Sequence, residues 1–131
     1  MIVRTIADLK ARGAYGEKPG VWSSARYLLK DDGVGFTLTQ TTVAAGNSQE
    51  MEYKNHIEAN LIIEGEGELT DVRTGDKFNL APGSMYCLDK HDRHVIRAMT
   101  DMRIVCVFTP ALVGDETHDA DGSYPPSAVN G

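Results

Sequence analysis

From Trp22 onward the sequence breaks into short apolar or alternating runs, each closed by a turn signal. The signals are Asp31-Asp32-Gly33, Ala45-Gly46-Asn47, Thr74-Gly75-Asp76, Ala81-Pro82-Gly83 and Lys90-His91-Asp92. Punctuation this dense excludes helical periodicity and predicts strands over residues 24–30, 35–43, 60–64, 67–71, 77–80, 84–88, 94–98 and 103–109. Residues 70–77 read as a hairpin with a glycine-containing loop. Many short strands at even spacing build a sandwich or barrel, so the fold class is all-β. Runs such as Leu61-Ile62-Ile63 and Ile104-Val105-Cys106-Val107-Phe108 are apolar enough to line a closed interior. Ahead of the strands, Thr5 and Asp8 have the spacing of a capping box and predict a short N-terminal helical turn over residues 8–12. Gly13, Gly16, Pro19 and Gly20 prevent it from growing.

A chain of 131 residues makes one domain with a single core. The expected division is an N-terminal segment over about 1–22, a barrel over 23–110 and a C-terminal lid and tail over 111–131. The balance of 19 acidic against 13 basic side chains, a net charge of −6, points away from nucleic acid and from anionic membrane surfaces. The opening residues are too interrupted by charge for a signal peptide, and no run is apolar enough to span a membrane as a helix. Two cysteines, Cys87 and Cys106, each inside an apolar run, suit a reducing cytoplasm and read as buried thiols. A small molecule is the expected partner.

The spacing of glycines and polar residues is similar to the two fingerprints of the cupin double-stranded β-helix, a jelly-roll barrel. The first runs Gly46, Glu52-x-Lys54, Glu58, Gly65, and the second runs Gly83, Asp89-x-His91, His94. In a cupin the first pair would be two histidines that ligate a metal, and here they are Glu52 and Lys54. Glu58 and His94 remain. Residues two apart on a strand point the same way, so side chains from facing strands can meet inside a barrel. Two ligands are too few for a tightly held divalent ion, and a third has to come from elsewhere. Tyr86, on the strand between, is a candidate, since a metal lowers the pKa of a phenol and binds the phenolate. Without a metal the three would form a hydrogen-bonded polar cluster.

Longer stretches resemble the ectoine synthases. They are residues 53–59 (Tyr-Lys-Asn-His-Ile-Glu-Ala), Glu64-Gly65-Glu66-Gly67, residues 82–94 from Pro82 through Tyr86 to His94, and residues 105–110. Residues 114–125 and the opening Met1-Ile2-Val3-Arg4 add to them, so the likeness covers nearly the whole chain. The resemblance implies that iron (Fe2+, or another divalent metal) is held by Glu58, Tyr86 and His94. It implies a substrate, N-gamma-acetyl-L-2,4-diaminobutyrate, lying against Trp22, Arg26, Thr41, Tyr53, His56, Phe108, Glu116 and His118. It also implies a homodimer. One departure is Thr39, where the family commonly has asparagine, and another is the lack of histidines near Glu50 and Glu52.

The family's reaction closes a ring. The α-amine attacks the acetamide carbonyl carbon and water leaves, giving the cyclic amidine ectoine. An amide is a poor electrophile and needs a Lewis acid, the amine must shed a proton, and the leaving oxygen must gain one. Glu116, His118, His56 and Tyr53 are the candidates for proton transfer, with the tail closing over the barrel mouth as a flap. Arg26, four residues after Trp22 and facing with it, suits the substrate carboxylate. Trp22, Tyr53 and Phe108 would form dry walls. Three other readings fit the same pattern: a cyclic-amidine hydrolase, a non-catalytic cupin binding a small carboxylate, and an iron oxygenase. The missing histidines weigh against the last.

Overall fold

The computed structural model describes residues 1–114 and 123–126. Helix α1 spans Ile6–Ala11, and Thr5 caps it: its hydroxyl accepts from the Asp8 amide while the Asp8 carboxylate accepts from the Thr5 amide. Ten strands follow: β1 Tyr15–Lys18, β2 Trp22–Leu28, β3 Thr37–Val43, β4 Ser48–Met51, β5 Ile57–Glu64, β6 Gly67–Asp71, β7 Lys77–Leu80, β8 Met85–Leu88, β9 His94–Ala98 and β10 Met102–Thr109. They form a six-stranded sheet in the order β1-β2-β3-β10-β5-β8 and a four-stranded sheet in the order β4-β9-β6-β7. Every pairing is antiparallel.

The two sheets share one core. Ile62 of β5, Leu69 of β6, Leu80 of β7, Leu88 of β8, Ile96 of β9 and Ile104 of β10 pack in a single cluster. Burial alternates along β10 from Met102 to Phe108, which is the signature of a strand with one face inward. This is the all-β double-stranded β-helix that the fingerprints predict. Among the described residues no helix is long and apolar enough to cross a membrane.

The sheets are larger than the sequence pattern indicates. Neither β1 nor β4 is predicted, because Tyr15-Gly16-Glu17-Lys18 and Ser48-Gln49-Glu50-Met51 are polar edge strands without apolar alternation. β1 extends the larger sheet into the segment expected to stand apart at the N-terminus, and β2 begins at Trp22. The predicted hairpin is present: Gly75 donates to the Asp71 carbonyl and β6 pairs with β7. The fingerprint glycine Gly65 has a packing cause. It turns at φ +85°, and a Cβ there would lie 2.1 Å from the Asp101 carbonyl oxygen.

Candidate functional site

A cavity of about 300 Å³ opens between the sheets. Alternation on β2 turns Trp22, Ser24 and Arg26 into it, and alternation on β3 turns Thr39 and Thr41 inward. Glu58 and Asn60 reach it from β5, Tyr86 from β8, and Cys106 and Phe108 from β10. The loop between β4 and β5 adds Tyr53, which is buried at 4% exposure. Tyr53 stands edge-on to Phe108 with ring centroids 5.3 Å apart and stacks on Tyr124 at 5.1 Å. The segment carrying Tyr124 is pinned over the same loop: the Lys54 amide donates to Ser123 Oγ, and Asn55 Nδ2 donates to the Tyr124 carbonyl. Arg26 Nη1 donates to the Gly114 carbonyl, so the cation is anchored where β2 meets the C-terminal segment.

Burial sets the electrostatics of this wall. Glu58 is buried, and the loss of water pushes its carboxyl up to about 8, with Asn60 and Cys106 opposing the rise. Burial, and secondarily the Glu58 charge, keeps both the Tyr53 and Tyr86 phenols protonated well above the usual range. The Cys106 thiol is raised for the same reasons. His94 is 1% exposed, and burial lowers its pKa. Its Nδ1 lies 3.0 Å from the Asp92 carbonyl oxygen, an acceptor only, so Nδ1 carries the ring proton. Nε2 is then a bare lone pair, and it is buried with no hydrogen-bond partner among the described residues.

Not every expected residue meets the cavity. His94 stands behind Tyr86 and Tyr53, its ring 6.3 and 6.2 Å from theirs, and also borders an outer groove between β7 and β8. His56 is 1% exposed and edge-on to Phe108 and Tyr124, each 6.2 Å away. It backs the aromatic wall, against two of the residues that line the cavity. Glu116 and His118 lie outside the described residues. His91 is exposed as expected, yet its Nδ1 is 2.7 Å from the Tyr53 carbonyl oxygen and ties the β8–β9 turn to that loop.

Residues 1–128 match the sequence model of a family described as ectoine synthase. The L-ectoine synthase of Oceanobacillus iheyensis is 50% identical over 125 residues, covering 95% of this chain and 97% of that protein. The chain belongs to the ectoine synthase family. The L-ectoine synthase of Sphingopyxis alaskensis is 47% identical over 125 residues, 95% of this chain and 90% of that one. The crystal structure of ectoine synthase from P. lautus superimposes with a TM-score of 0.84 at 40% identity, covering 98% of this chain and 93% of that one. A cupin superfamily protein from Desulfitobacterium hafniense, at TM-score 0.59, 20% identity and 72% and 82% coverage, shares the fold alone.

Within an ectoine synthase fold, the buried groups can be tested against a metal. No three His, Cys, Asp or Glu side chains cluster for a metal among the described residues. Of the three expected ligands, Glu58 and Tyr86 line the cavity, and the His94 ring lies 6.3 Å from that of Tyr86. Those three suit a cation on chemical grounds: a buried lone pair at His94 Nε2, a buried carboxyl, and a phenol a metal can ionise. Sequence reasoning missed Asn60, Cys106 and Tyr124 as cavity residues. Asn60 and Cys106 sit two positions from Glu58 and Phe108, so strand alternation alone carried that signal; for Tyr124 no local pattern did.

Proposed function

We propose that this chain converts N-gamma-acetyl-L-2,4-diaminobutyrate to the cyclic amidine ectoine with loss of one water, a hydro-lyase reaction. The family match over residues 1–128 supports this when joined to the cavity that carries Arg26, Glu58 and Tyr86 on its walls. Iron, or another divalent metal, held by Glu58, Tyr86 and His94 supplies the Lewis acidity that an amide carbonyl requires.

The chain's own side chains do the rest. Arg26 takes the substrate carboxylate and fixes the adjacent α-amine for attack, converting a slow encounter into a positioned one. The new C–N bond forms as the carbonyl π bond opens, and the C–O bond breaks as water departs with hydrogens drawn from the amine. Glu116 and His118 are the groups proposed to take and return those protons. Tyr53, kept as the neutral phenol by burial, has a proton to lend at the wall. His56 holds Phe108 and Tyr124 in their edge-on packing, so its contribution is to wall shape. Trp22, Phe108 and Tyr124 keep the site dry, and Thr41 borders it on β3. Dryness matters because water is the product and would drive the reverse hydrolysis, which the same groups catalyse by microscopic reversibility.

We place the enzyme in the cytoplasm as a homodimer. The outer face of the larger sheet supports pairing: Leu61 and Ile63 of β5 and Met85 of β8 are 43%, 38% and 62% exposed, an apolar patch a second copy would cover. The reaction is tested by incubating iron-loaded protein with the acetylated diamino acid and following mass. A product lighter by one water is expected. Unchanged substrate, or oxygen uptake in place of dehydration, refutes the assignment.

A further inference from the structure

Apart from glycines, His91 is the one residue with a left-handed backbone among the described residues, at φ 54°. A side chain is crowded there, and the conformation persists only where surrounding contacts hold it. From this turn the imidazole reaches the β4–β5 loop, with Nδ1 2.7 Å from the Tyr53 carbonyl oxygen. A carbonyl only accepts, so Nδ1 carries the hydrogen and donates it. The other end of the same peptide group is held as well, since the Lys54 amide donates to Ser123 Oγ at 2.9 Å. A peptide group is planar and rigid, so bonds at both its ends fix its orientation. They also reinforce each other, because an engaged carbonyl makes the N–H across the amide a stronger donor. The Tyr53–Lys54 peptide is thus clamped between the β8–β9 turn and the C-terminal segment.

That peptide carries part of the cavity wall. Tyr53 is 4% exposed, stands edge-on to Phe108 and stacks on Tyr124. Turning its peptide plane would swing the phenol relative to both rings. A second tie from the same turn does not replace His91. Arg93 pairs with Glu50 and Glu52 at 2.7 and 3.5 Å, ahead of Tyr53, through side chains open to water that hold position weakly. The His94 ring is set separately, by its Nδ1 against the Asp92 carbonyl. We infer that His91 is a positioning residue for the ring closure, acting through the Tyr53 carbonyl to hold the phenol where it meets the substrate. The role rests on the ring-closure reading above.

The test compares wild type with His91→Gly and His91→Asn in iron-loaded protein, measuring kcat, KM, iron content, melting temperature and hydrogen exchange of the Lys54 amide. Glycine keeps the left-handed turn and removes the donor. Asparagine tolerates the same turn and presents an amide nitrogen near the place of Nδ1. In His91→Gly, kcat/KM is expected to fall by about tenfold or more, mostly in kcat, because the phenol is displaced while the grip on the carboxylate is kept. The Lys54 amide should exchange faster, iron content should stay at the wild-type level, and melting should drop by less than about 5 °C. His91→Asn should recover most of the activity and of the exchange protection, a linkage that a role in stability alone does not produce. A kcat/KM within about threefold of wild type in His91→Gly overturns the role. So does His91→Asn that performs no better than His91→Gly, loss of iron along with activity, or a larger fall in melting in both variants. If wild type releases no water from the substrate, the ring-closure reading fails and this role falls with it. Active wild type with unaffected variants removes only the role.

Discussion

Replacing Arg26 with lysine keeps a positive charge in the cavity but removes the planar fork of donors. In the structure one guanidinium nitrogen, Nη1, is already committed to the Gly114 carbonyl. The remaining N–H groups are left to face the carboxylate of a bound substrate, and they can do so without giving up that anchor. A lysine ammonium is a single point on a flexible stem and cannot hold both partners in one plane. One charge-assisted hydrogen bond is therefore lost, worth about 1.5–3 kcal/mol. At about 1.4 kcal/mol per decade, that predicts a fall in kcat/KM of roughly 10- to 150-fold. Because the carboxylate is bound alike in ground and transition states, most of the fall should appear as a raised KM. The assay is ectoine formation over a range of substrate concentrations with iron-saturated Arg26→Lys protein, after checking that it melts as wild type. A KM within about twofold of wild type would refute the placement of the carboxylate at Arg26.

Two further outcomes follow from the fold. Gly65→Ala puts a Cβ against the Asp101 carbonyl at a left-handed φ, and conformational strain together with overpacking should cost about 2–5 kcal/mol. Thermal melting should fall by on the order of 10 °C, and an unchanged melting curve would show that the β5–β6 turn has room to relax. At the N-terminus, the Arg4 side chain, then the Leu29 amide, hold Asp32 down to about 2. A lowered carboxyl pKa contributes stability that is present above its unfolded value near 4 and lost as the pH falls toward about 2. Asp32→Asn should therefore melt below wild type at neutral pH, and the gap should close over that acid window. A gap independent of pH would mean that the ion pair carries none of the difference.

The strands that proved legible are those with one apolar face, because burial on one side writes a period of two into the sequence. β9 and the β6–β7 hairpin appear as predicted, residue for residue. β1 and β4 were silent because an edge strand exposes most of its side chains: Glu17 and Lys18 face solvent, and Glu50 reaches out to the Arg93 guanidinium. Tyr86 and Arg26 could be placed from the inward alternation of strands that the pattern identified, whereas Glu58 lies ahead of the predicted strand 60–64 and was placed by the fingerprint spacing. His56 could not, because it lies in the loop ahead of β5, where no periodicity says which way a side chain turns. Asn60 and Cys106 obey the same alternation as their neighbours, but their residue types suggested packing and not chemistry.

The central claim is that Glu58, Tyr86 and His94 together hold one cation. It is tested most directly by the iron stoichiometry of purified protein, measured on wild type, Glu58→Ala, Tyr86→Phe and His94→Ala, each shown to be folded. The account predicts close to one iron per wild-type chain and a sharp loss in all three variants. Variants that stay folded and keep wild-type iron would contradict it.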